Sequence, residues 1–126
     1  MKAFVVSLEN KPGELARVSA AVANKGINIT TGAGIAWGGS GAVGLLTQDE
    51  TGTREALREA GVEFRECDTL DVPLEDRPGS LAEMSRRLAE AGVNVEFAVP
   101  AQFAGGRTTL VLGVEDAEVA RKVLGT

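Results

Sequence analysis

Residues 8–28 read LENKPGELARVSAAVANKGIN, and residues 74–94 read LEDRPGSLAEMSRRLAEAGVN. The two stretches align without a gap at one offset, the 66 residues that separate Pro12 from Pro78 and Asn28 from Asn94. Self-similarity at a fixed offset indicates an internal duplication. The chain is therefore predicted to consist of two copies of one module, residues 1–66 and residues 67–126.

Each copy is predicted to begin with a strand and a helix. Apolar runs at residues 3–8 and 69–74 favour strands with a buried face. Pro12 and Pro78 fit the first turn of the following helix, where a missing N–H costs nothing. Apolar residues then recur at spacings of three and four, which predicts an amphipathic helix in each copy. These residues are Leu15, Val18 and Val22 in the first copy, and Leu81, Met84 and Leu88 in the second.

Two more strands and a second helix complete each copy. Gly26 and Gly92 are expected to end the first helices, because glycine adopts the left-handed terminal conformation without steric cost. The remaining predicted elements are second strands at residues 27–35 and 93–99, third strands at 42–47 and 108–114, and helices at about 51–60 and 115–124. Thr126 aligns with Ala60 at the same offset. Only the first copy therefore has residues for one more strand, at 62–66.

This element order predicts an α+β fold made of two ferredoxin-like modules. In each module two helices pack on one face of an antiparallel sheet with the strand order 4-1-3-2. The second module lacks its last strand, which leaves its first strand as an exposed edge. Proteins normally pair or cover such edges. We predict that a second subunit or the segment 62–74 covers this edge.

The repeated pattern also resembles a known family. An apolar strand, the motif N/D-K/R-P-G-x-L-A, a helix and G-I/V-N-I/V occur in this order twice and cover nearly the whole chain. This pattern resembles the ACT domain, and the chain is similar to a stand-alone protein of two tandem ACT modules. The resemblance implies a βαββαβ fold, with the second strands of both modules paired in one continuous eight-stranded sheet. It also implies a regulatory sensor that binds an amino acid near the loop between the first strand and the first helix.

The residues of that loop give a physical basis for ligand binding. Backbone N–H groups at a helix N-terminus attract a carboxylate, and glycine allows a ligand to approach the backbone closely. Asparagine side chains accept hydrogen bonds from an ammonium group or donate them to a carboxylate. The candidate ligand-binding residues are Asn10, Lys11, Pro12, Gly13, Glu14 and Asn28 in the first module, and Asp76, Arg77, Pro78, Gly79, Ser80 and Asn94 in the second. By resemblance, the asparagines at positions 28 and 94 are the strongest candidates.

The two sites are not expected to be equal, and structural roles compete with binding roles. Asp76, where the first module has Asn10, would attract the ammonium group of a ligand and repel its carboxylate. Both residues are also typical helix caps. The asparagines that follow the helices could simply tolerate a left-handed conformation. Trp37 and Phe103, at matched positions, either line a ligand pocket or close a core or an interface.

Composition disfavours several classes of protein. The net charge is −5, and its 18 acidic and 13 basic residues are interspersed, so no basic stripe is present to bind nucleic acid. The chain has no histidine or tyrosine, which removes histidine-based catalysis and imidazole ligands. We therefore expect no metal and no cofactor. No apolar run approaches the roughly 18 residues that span a bilayer, and the start does not resemble a signal peptide, so a cytoplasmic location is expected. Cys67, the single cysteine, is expected to pack as a small hydrophobic residue.

The predicted function is that of a non-catalytic sensor. It would bind a free amino acid at the interface between ACT modules and regulate a metabolic enzyme or its own assembly as a homodimer. The alternative is a structural interaction module that acts through its strand edges without a ligand. An enzyme ranks third, because residues 61–65 resemble only the tail of the acylphosphatase signature and the residues before them lack the rest.

Overall fold

The computed structural model describes all 126 residues and shows six strands and four helices. In chain order they are β1 (Lys2–Glu9), α1 (Glu14–Ala23), β2 (Ile29–Trp37), β3 (Ser40–Thr47), α2 (Glu50–Glu59), β4 (Phe64–Glu75), α3 (Ser80–Glu90), β5 (Val95–Ala104), β6 (Arg107–Val114) and α4 (Ala117–Leu124). The predicted α+β class is confirmed. No helix of the chain is long and apolar enough to cross a lipid bilayer.

Lys2–Glu66 forms the first of two compact units. Its strands lie in the order β2-β3-β1-β4, which confirms the ferredoxin-like order. β3 pairs antiparallel with both β1 and β2. The Ser7 N–H donates to the Glu63 carbonyl oxygen at 2.9 Å, which joins β1 to the start of β4. Both helices pack on one face of this sheet, over a core of Phe4, Val6, Val18, Val22, Val43, Leu45 and Leu57.

Cys67–Thr126, together with Met1, forms the second unit. Its strands lie in the order β4-β6-β5, one strand fewer than in the first unit, as expected. Cys67 is buried, with 6% of its surface exposed. The core of this unit consists of Leu70, Val72, Met84, Leu88, Val93, Leu112, Val114, Ala117 and Ala120.

β4 joins two strands that the sequence pattern separates. The predicted strands at residues 62–66 and 69–74 are one continuous strand of 12 residues, Phe64–Glu75. No glycine interrupts residues 62–74, and their only proline is the next-to-last residue, so nothing in the sequence forces a turn. The expectation that the segment 62–74 covers the edge of the second module is therefore wrong, because this segment continues into the strand that forms that edge. Pairing of β2 with β5, which the resemblance implies, is not found within the chain, since β2 pairs with β3 alone and β5 with β6 alone.

The C-terminal half of β4 has an open side that carries a proline. Thr69 N–H donates to the Met1 carbonyl oxygen at 3.0 Å, on the side of β4 away from β6. Alternate residues of a strand direct their N–H groups to the same side, so Asp71 and Pro73 face this side too. The Asp71 carbonyl accepts from the Thr126 hydroxyl at 3.3 Å. Pro73 has no N–H to offer, as is typical of prolines at sheet edges.

A bulge in β5 breaks the constant offset between the modules. The β5–β6 register shifts between Pro100 and Gln102, which makes Ala101 an extra residue that β2 does not have. Beyond this point, equivalent positions are 67 residues apart. The hairpin turns Gly38-Gly39 and Gly105-Gly106, and the helix N-caps Asp49 and Asp116, show the new offset.

The bulge corrects two alignments made from sequence. Trp37 is equivalent to Ala104, not to Phe103, because the extra residue moves the second hairpin forward by one position. Thr126 is likewise equivalent to Glu59 instead of Ala60. A one-residue insertion inside a strand leaves the sequence pattern before it intact, so the early identities gave no sign of it.

Candidate functional site

The turn between β1 and α1 positions the first group of candidate residues. Helix α1 begins at Glu14, and its N-cap residue is Gly13, in the left-handed region at φ +93°. Pro12 lies in the turn before the N-cap. The prediction that it lies in the first helical turn is therefore wrong. No side chain caps the helix, so N–H groups of the first turn have no side-chain partner. Gly79, at φ +90°, occupies the same place before α3.

Asn10 connects this turn to the β2–β3 hairpin. Its backbone N–H donates to the Gly39 oxygen at 3.0 Å, and its side-chain Nδ2 donates to the Gly38 oxygen at 2.8 Å. The side chain therefore holds the hairpin and does not cap α1, so the capping interpretation of Asn10 is wrong. Its Oδ1 atom has no hydrogen-bond partner within the chain and can accept from a ligand.

Glu14 supplies a fixed carboxylate in the first turn of α1. Only 13% of its side chain is exposed, and it accepts from Arg17 Nε at 3.1 Å and Nη2 at 3.4 Å. The hydrogen bond from Arg17 holds the pKa of Glu14 below its ordinary value. Arg17 also donates to the Ala60 oxygen at 3.1 Å, which fixes the guanidinium. The Glu14 carboxylate is therefore ionised and held in one orientation at neutral pH.

Lys11 contributes the only cation on the same turn. Its Nζ lies 2.9 Å from Glu9 Oε2, and this hydrogen bond, together with the Glu9 charge, raises the pKa of Lys11. The side chain is more than half exposed. A paired, solvated ammonium of this kind can move to meet an anionic ligand at little cost.

A groove of about 590 Å³ lies beside these residues, within the first unit. Its charged and amide side chains, Asn10, Lys11 and Glu14 among them, all come from residues 9–14 at one end. Its walls are otherwise mostly apolar or glycine. The lining residues are Leu8, Glu9, Asn10, Lys11, Glu14, Leu15, Ser19, Ile29, Gly32, Ala33, Gly34, Ile35, Ala36, Gly41, Ala42, Val43 and Leu45. Ligand sites of proteins have this size and this mixture of a few polar groups with apolar walls.

Leu15 has a role that helical spacing alone does not reveal. The spacing placed it on the buried stripe of α1, but its side chain is 58% exposed, as is that of Leu81 in the second unit. In the first unit this leucine forms part of the groove wall. The signal that could have found the groove is the alternation of glycines at positions 32 and 34 of a strand.

The corresponding turn of the second unit differs in its charges. Asp76 N–H donates to the Gly106 oxygen at 2.7 Å, as the equivalent backbone bond does in the first unit. Arg77 Nε contacts Glu75 Oε2 at 2.7 Å, and this bond lowers the pKa of Glu75 and raises that of Arg77. Ser80, which replaces the glutamate of the first unit, is 9% exposed, and its hydroxyl has no hydrogen-bond partner.

A smaller cavity of about 190 Å³ lies beside this second turn. Arg77 and Ser80 are the two predicted site residues that line it. The other lining residues are Val72, Pro73, Leu74, Glu75, Glu83, Met84, Arg87 and Leu124. It lies against the strand edge of β4, whereas the large groove of the first unit lies against β2 and β3, so the two cavities are not equivalent.

Several predicted site residues lie outside both cavities. Asn28 and Asn94 are exposed and directly precede β2 and β5. The remaining ones are Pro12, Gly13, Asp76, Pro78 and Gly79. Trp37 and Phe103 line neither cavity and belong to neither core, with 90% and 75% of their surfaces exposed. A role in binding for the two asparagines remains a prediction.

No group of three or more acidic or cysteine side chains is arranged to hold a metal ion. Arg65, which the weak acylphosphatase resemblance singles out, is exposed and lines neither cavity. The groove itself offers hydrogen-bonding groups, charge and apolar surface.

The chain is similar to a known protein family and to several solved structures. Residues 1–125 match the family model described as an ACT domain pair. No curated protein matches the sequence. The fold is similar to the crystal structure of a protein from Bacteroides thetaiotaomicron, with a TM-score of 0.74 and 23% identity over 98% of this chain and 85% of that chain.

Regulatory subunits of aspartate kinase are also similar in structure. The ligand-free subunit from Thermus thermophilus has a TM-score of 0.67 and 20% identity, over 98% of this chain and 89% of that chain. The subunit from Thermus flavus has a TM-score of 0.67 and 22% identity, over 98% and 90% of the two chains. At these identities the structures show a shared fold.

Proposed function

This chain belongs to the ACT domain pair family, and we propose that it is a non-catalytic regulatory protein that binds a free amino acid. The observation that carries the proposal is the groove of the first unit. Polar groups from residues 9–14 stand at one end of it, and apolar or glycine walls form most of the rest. An amino acid has the same division, with a zwitterionic head and a side chain.

The polar end can bind both charges of the head group. Asn10 Oδ1 and the ionised Glu14 carboxylate accept hydrogen bonds from an ammonium group. The uncapped first turn of α1 and the Lys11 ammonium favour a carboxylate. These complementary groups come from one five-residue stretch, so a single turn would orient the ligand.

Regulation requires that the ligand favours one state of the protein over another. A ligand controls an equilibrium only through a difference in its affinity for the two states. We propose that the bound amino acid changes association of the chain with itself, as a homodimer, or with a metabolic enzyme. The structural similarity to subunits described as regulatory supports an enzyme partner.

Thermal unfolding in the presence of each common amino acid tests the proposal. An amino acid at about 100 times its dissociation constant should stabilise the protein by roughly 2.7 kcal/mol. The Glu14→Gln variant should lose most of this stabilisation, whereas Glu90→Gln, on an exposed face of α3, should keep it. Absence of stabilisation by every amino acid would contradict the proposal.

An interaction module without a ligand is the second candidate. It is favoured by Ile35 and Trp37, which are 76% and 90% exposed on β2, an edge strand. Trp37→Ser would then weaken self-association in sedimentation experiments, with no dependence on added amino acids. Self-association that responds to an amino acid would favour the sensor instead.

A further inference from the structure

The groove exists because one side of β2 carries almost no side chains. Gly32 lies opposite Leu45 and Gly34 opposite Val43 in the β2–β3 ladder. Directly opposed residues of an antiparallel pair point to the same face. Val43 and Leu45 are buried in the core beneath α1 and α2. The two glycines therefore face the helices, and this face of β2 is bare where a side chain would ordinarily pack.

The second unit has side chains at the same positions. Ala98 lies opposite Leu112, and Pro100 lies opposite Leu110. Leu112 is fully buried in the core of this unit and Leu110 packs against it, so the face of β5 that carries Ala98 and Pro100 also turns towards the helices. A methyl group and a pyrrolidine ring occupy the space that two hydrogen atoms leave open in the first unit. The bare strip is thus a property of one module only.

We infer that this bare strip receives the apolar side chain of the bound amino acid, so that each chain binds one large apolar amino acid in its first unit. The inference rests on the proposed function and adds a ligand class and a stoichiometry to it. With the head group held at residues 9–14, the rest of the ligand extends over walls that include Leu8, Leu15 and Val43. The part of the groove wall outside residues 9–14 contains no charged residue. A charged ligand side chain would lose hydration there without gaining a partner.

The size of the groove favours the larger apolar side chains. Its volume of about 590 Å³ exceeds what alanine or glycine can fill. Each methylene group removed from water adds to the binding free energy. Leucine, isoleucine, methionine or phenylalanine should accordingly bind at least about tenfold more tightly than alanine.

Gly34 provides the variant that separates binding from folding. A Cβ atom at Gly34 would lie 3.7 Å from the Ala42 oxygen and 3.9 Å from Val43 Cγ2, which are ordinary contacts. At Gly32 it would lie only 2.8 Å from the Gly44 oxygen, so that position is constrained by the fold. Gly34→Val therefore fills the strip with little strain, and Gly34→Ala is a smaller second variant. Pro100→Val, at the matched position of the second unit, is the control.

The experiment is isothermal titration of the full chain with leucine, phenylalanine, alanine, serine, aspartate and lysine. We expect the large apolar amino acids, leucine and phenylalanine, to bind with a stoichiometry of one ligand per chain. Gly34→Val should weaken this binding at least about tenfold, Gly34→Ala should weaken it less, and Pro100→Val should leave it unchanged. Thermal unfolding of each variant confirms that it is folded.

Different results would overturn the inferred ligand class and the proposed amino-acid sensor. If serine, aspartate or lysine binds most tightly, if two equivalents bind, or if both Gly34 variants bind leucine as the unchanged chain does, the inference is overturned while the amino-acid sensor stands. If none of the six amino acids binds, both the inference and the sensor are overturned.

Discussion

The side chain of Asn10 donates a hydrogen bond to the carbonyl oxygen of Gly38 at 2.8 Å, across 28 positions of sequence. This bond fixes the β1–α1 turn to the tip of the β2–β3 hairpin. In the second unit only the backbone bond from Asp76 to Gly106 joins the equivalent elements. The Nδ2 atom of Asn10 thus holds the hairpin, and its Oδ1 atom is the one that we propose to accept a hydrogen bond from the ligand.

Asn10→Asp should weaken both the fold and the site. A carboxylate cannot donate to the Gly38 oxygen, so we expect a loss of about 1 kcal/mol in the free energy of unfolding. Amino-acid affinity should fall as well, because the side chain that accepts from the ligand is no longer held in place by the Gly38 oxygen. Urea unfolding and isothermal titration measure the two effects. Asp76→Asn is the control, and an equal loss of affinity in this variant would contradict a site confined to the first unit.

Acid should weaken the first unit through Glu66. Arg54 contacts its carboxylate at 2.7 and 2.6 Å, and this hydrogen bonding lowers the pKa of Glu66 below its ordinary value of 4.5. A lowered pKa in the folded state means that the stabilisation is present above pH 4.5 and is lost as the pH falls through the lowered value. Glu66→Gln should destabilise the protein at pH 7 and make little difference at the acid end of the range. Urea unfolding between pH 2 and pH 7 tests this.

A control for this prediction is the exposed pair Arg86–Glu90, with side chains 60% and 65% exposed. Glu90→Gln should change the stability by less than about 0.5 kcal/mol at any pH in the range. A pH dependence that survives unchanged in Glu66→Gln would assign it to another group.

Removal of the Ser80 hydroxyl should not destabilise the second unit. This hydroxyl is buried without a partner, so Ser80→Ala relieves an unsatisfied polar group and should raise the free energy of unfolding by up to about 1 kcal/mol. Thr53 is the contrast, since its hydroxyl lies 2.7 Å from both the Thr47 hydroxyl and the Asp49 carbonyl. Thr53→Val should cost about 1–3 kcal/mol. A comparable cost for Ser80→Ala would mean that a water molecule in the neighbouring cavity binds the hydroxyl.

Gly113→Ala should strain the sheet of the second unit. A Cβ atom there would lie 2.5 Å from Cys67 Sγ and 2.9 Å from Phe97 Cβ. Overpacking of this kind typically costs about 1–3 kcal/mol. Gly39→Ala, where a Cβ atom would meet nothing within 4 Å, should have a much smaller effect. Chemical denaturation of both variants provides the comparison, and equal stabilities would contradict the close packing at Gly113.

Most of the fold was predictable because it depends on local patterns that the duplication shows twice. Apolar spacing and terminal glycines located α1 in the first copy and α3 in the second, and α2 and α4 were found within a few residues. The continuity of β4 was not predictable from periodicity, because the apolar residues at 62–74 belong partly to the end of the first module and partly to the start of the second. The bulge at Ala101 was missed because one inserted residue changes register without changing composition.

The candidate site was predictable only at its polar end. Asn10, Lys11 and Glu14 were found because the chemistry of a helix N-terminus can be inferred from sequence. Gly32 and Gly34 were not, because their importance depends on which face of β2 they occupy, and that is set by pairing with β3. The sequence also predicted one site in each module, unequal because Asp76 replaces Asn10, but it did not show that different strands lie beside the two turns.

Pro73 limits the hydrogen bonding of another strand to the open side of β4. A neighbouring strand that docked along residues 70–75 would find a donor missing in the middle of the ladder, where every second residue should supply one. Runaway polymerisation, in which each added copy offers a fresh edge to the next, needs an unbroken row of donors and acceptors. The missing N–H of Pro73 therefore interrupts strand addition along this side of β4, and the open side does not provide a continuous template for fibril growth.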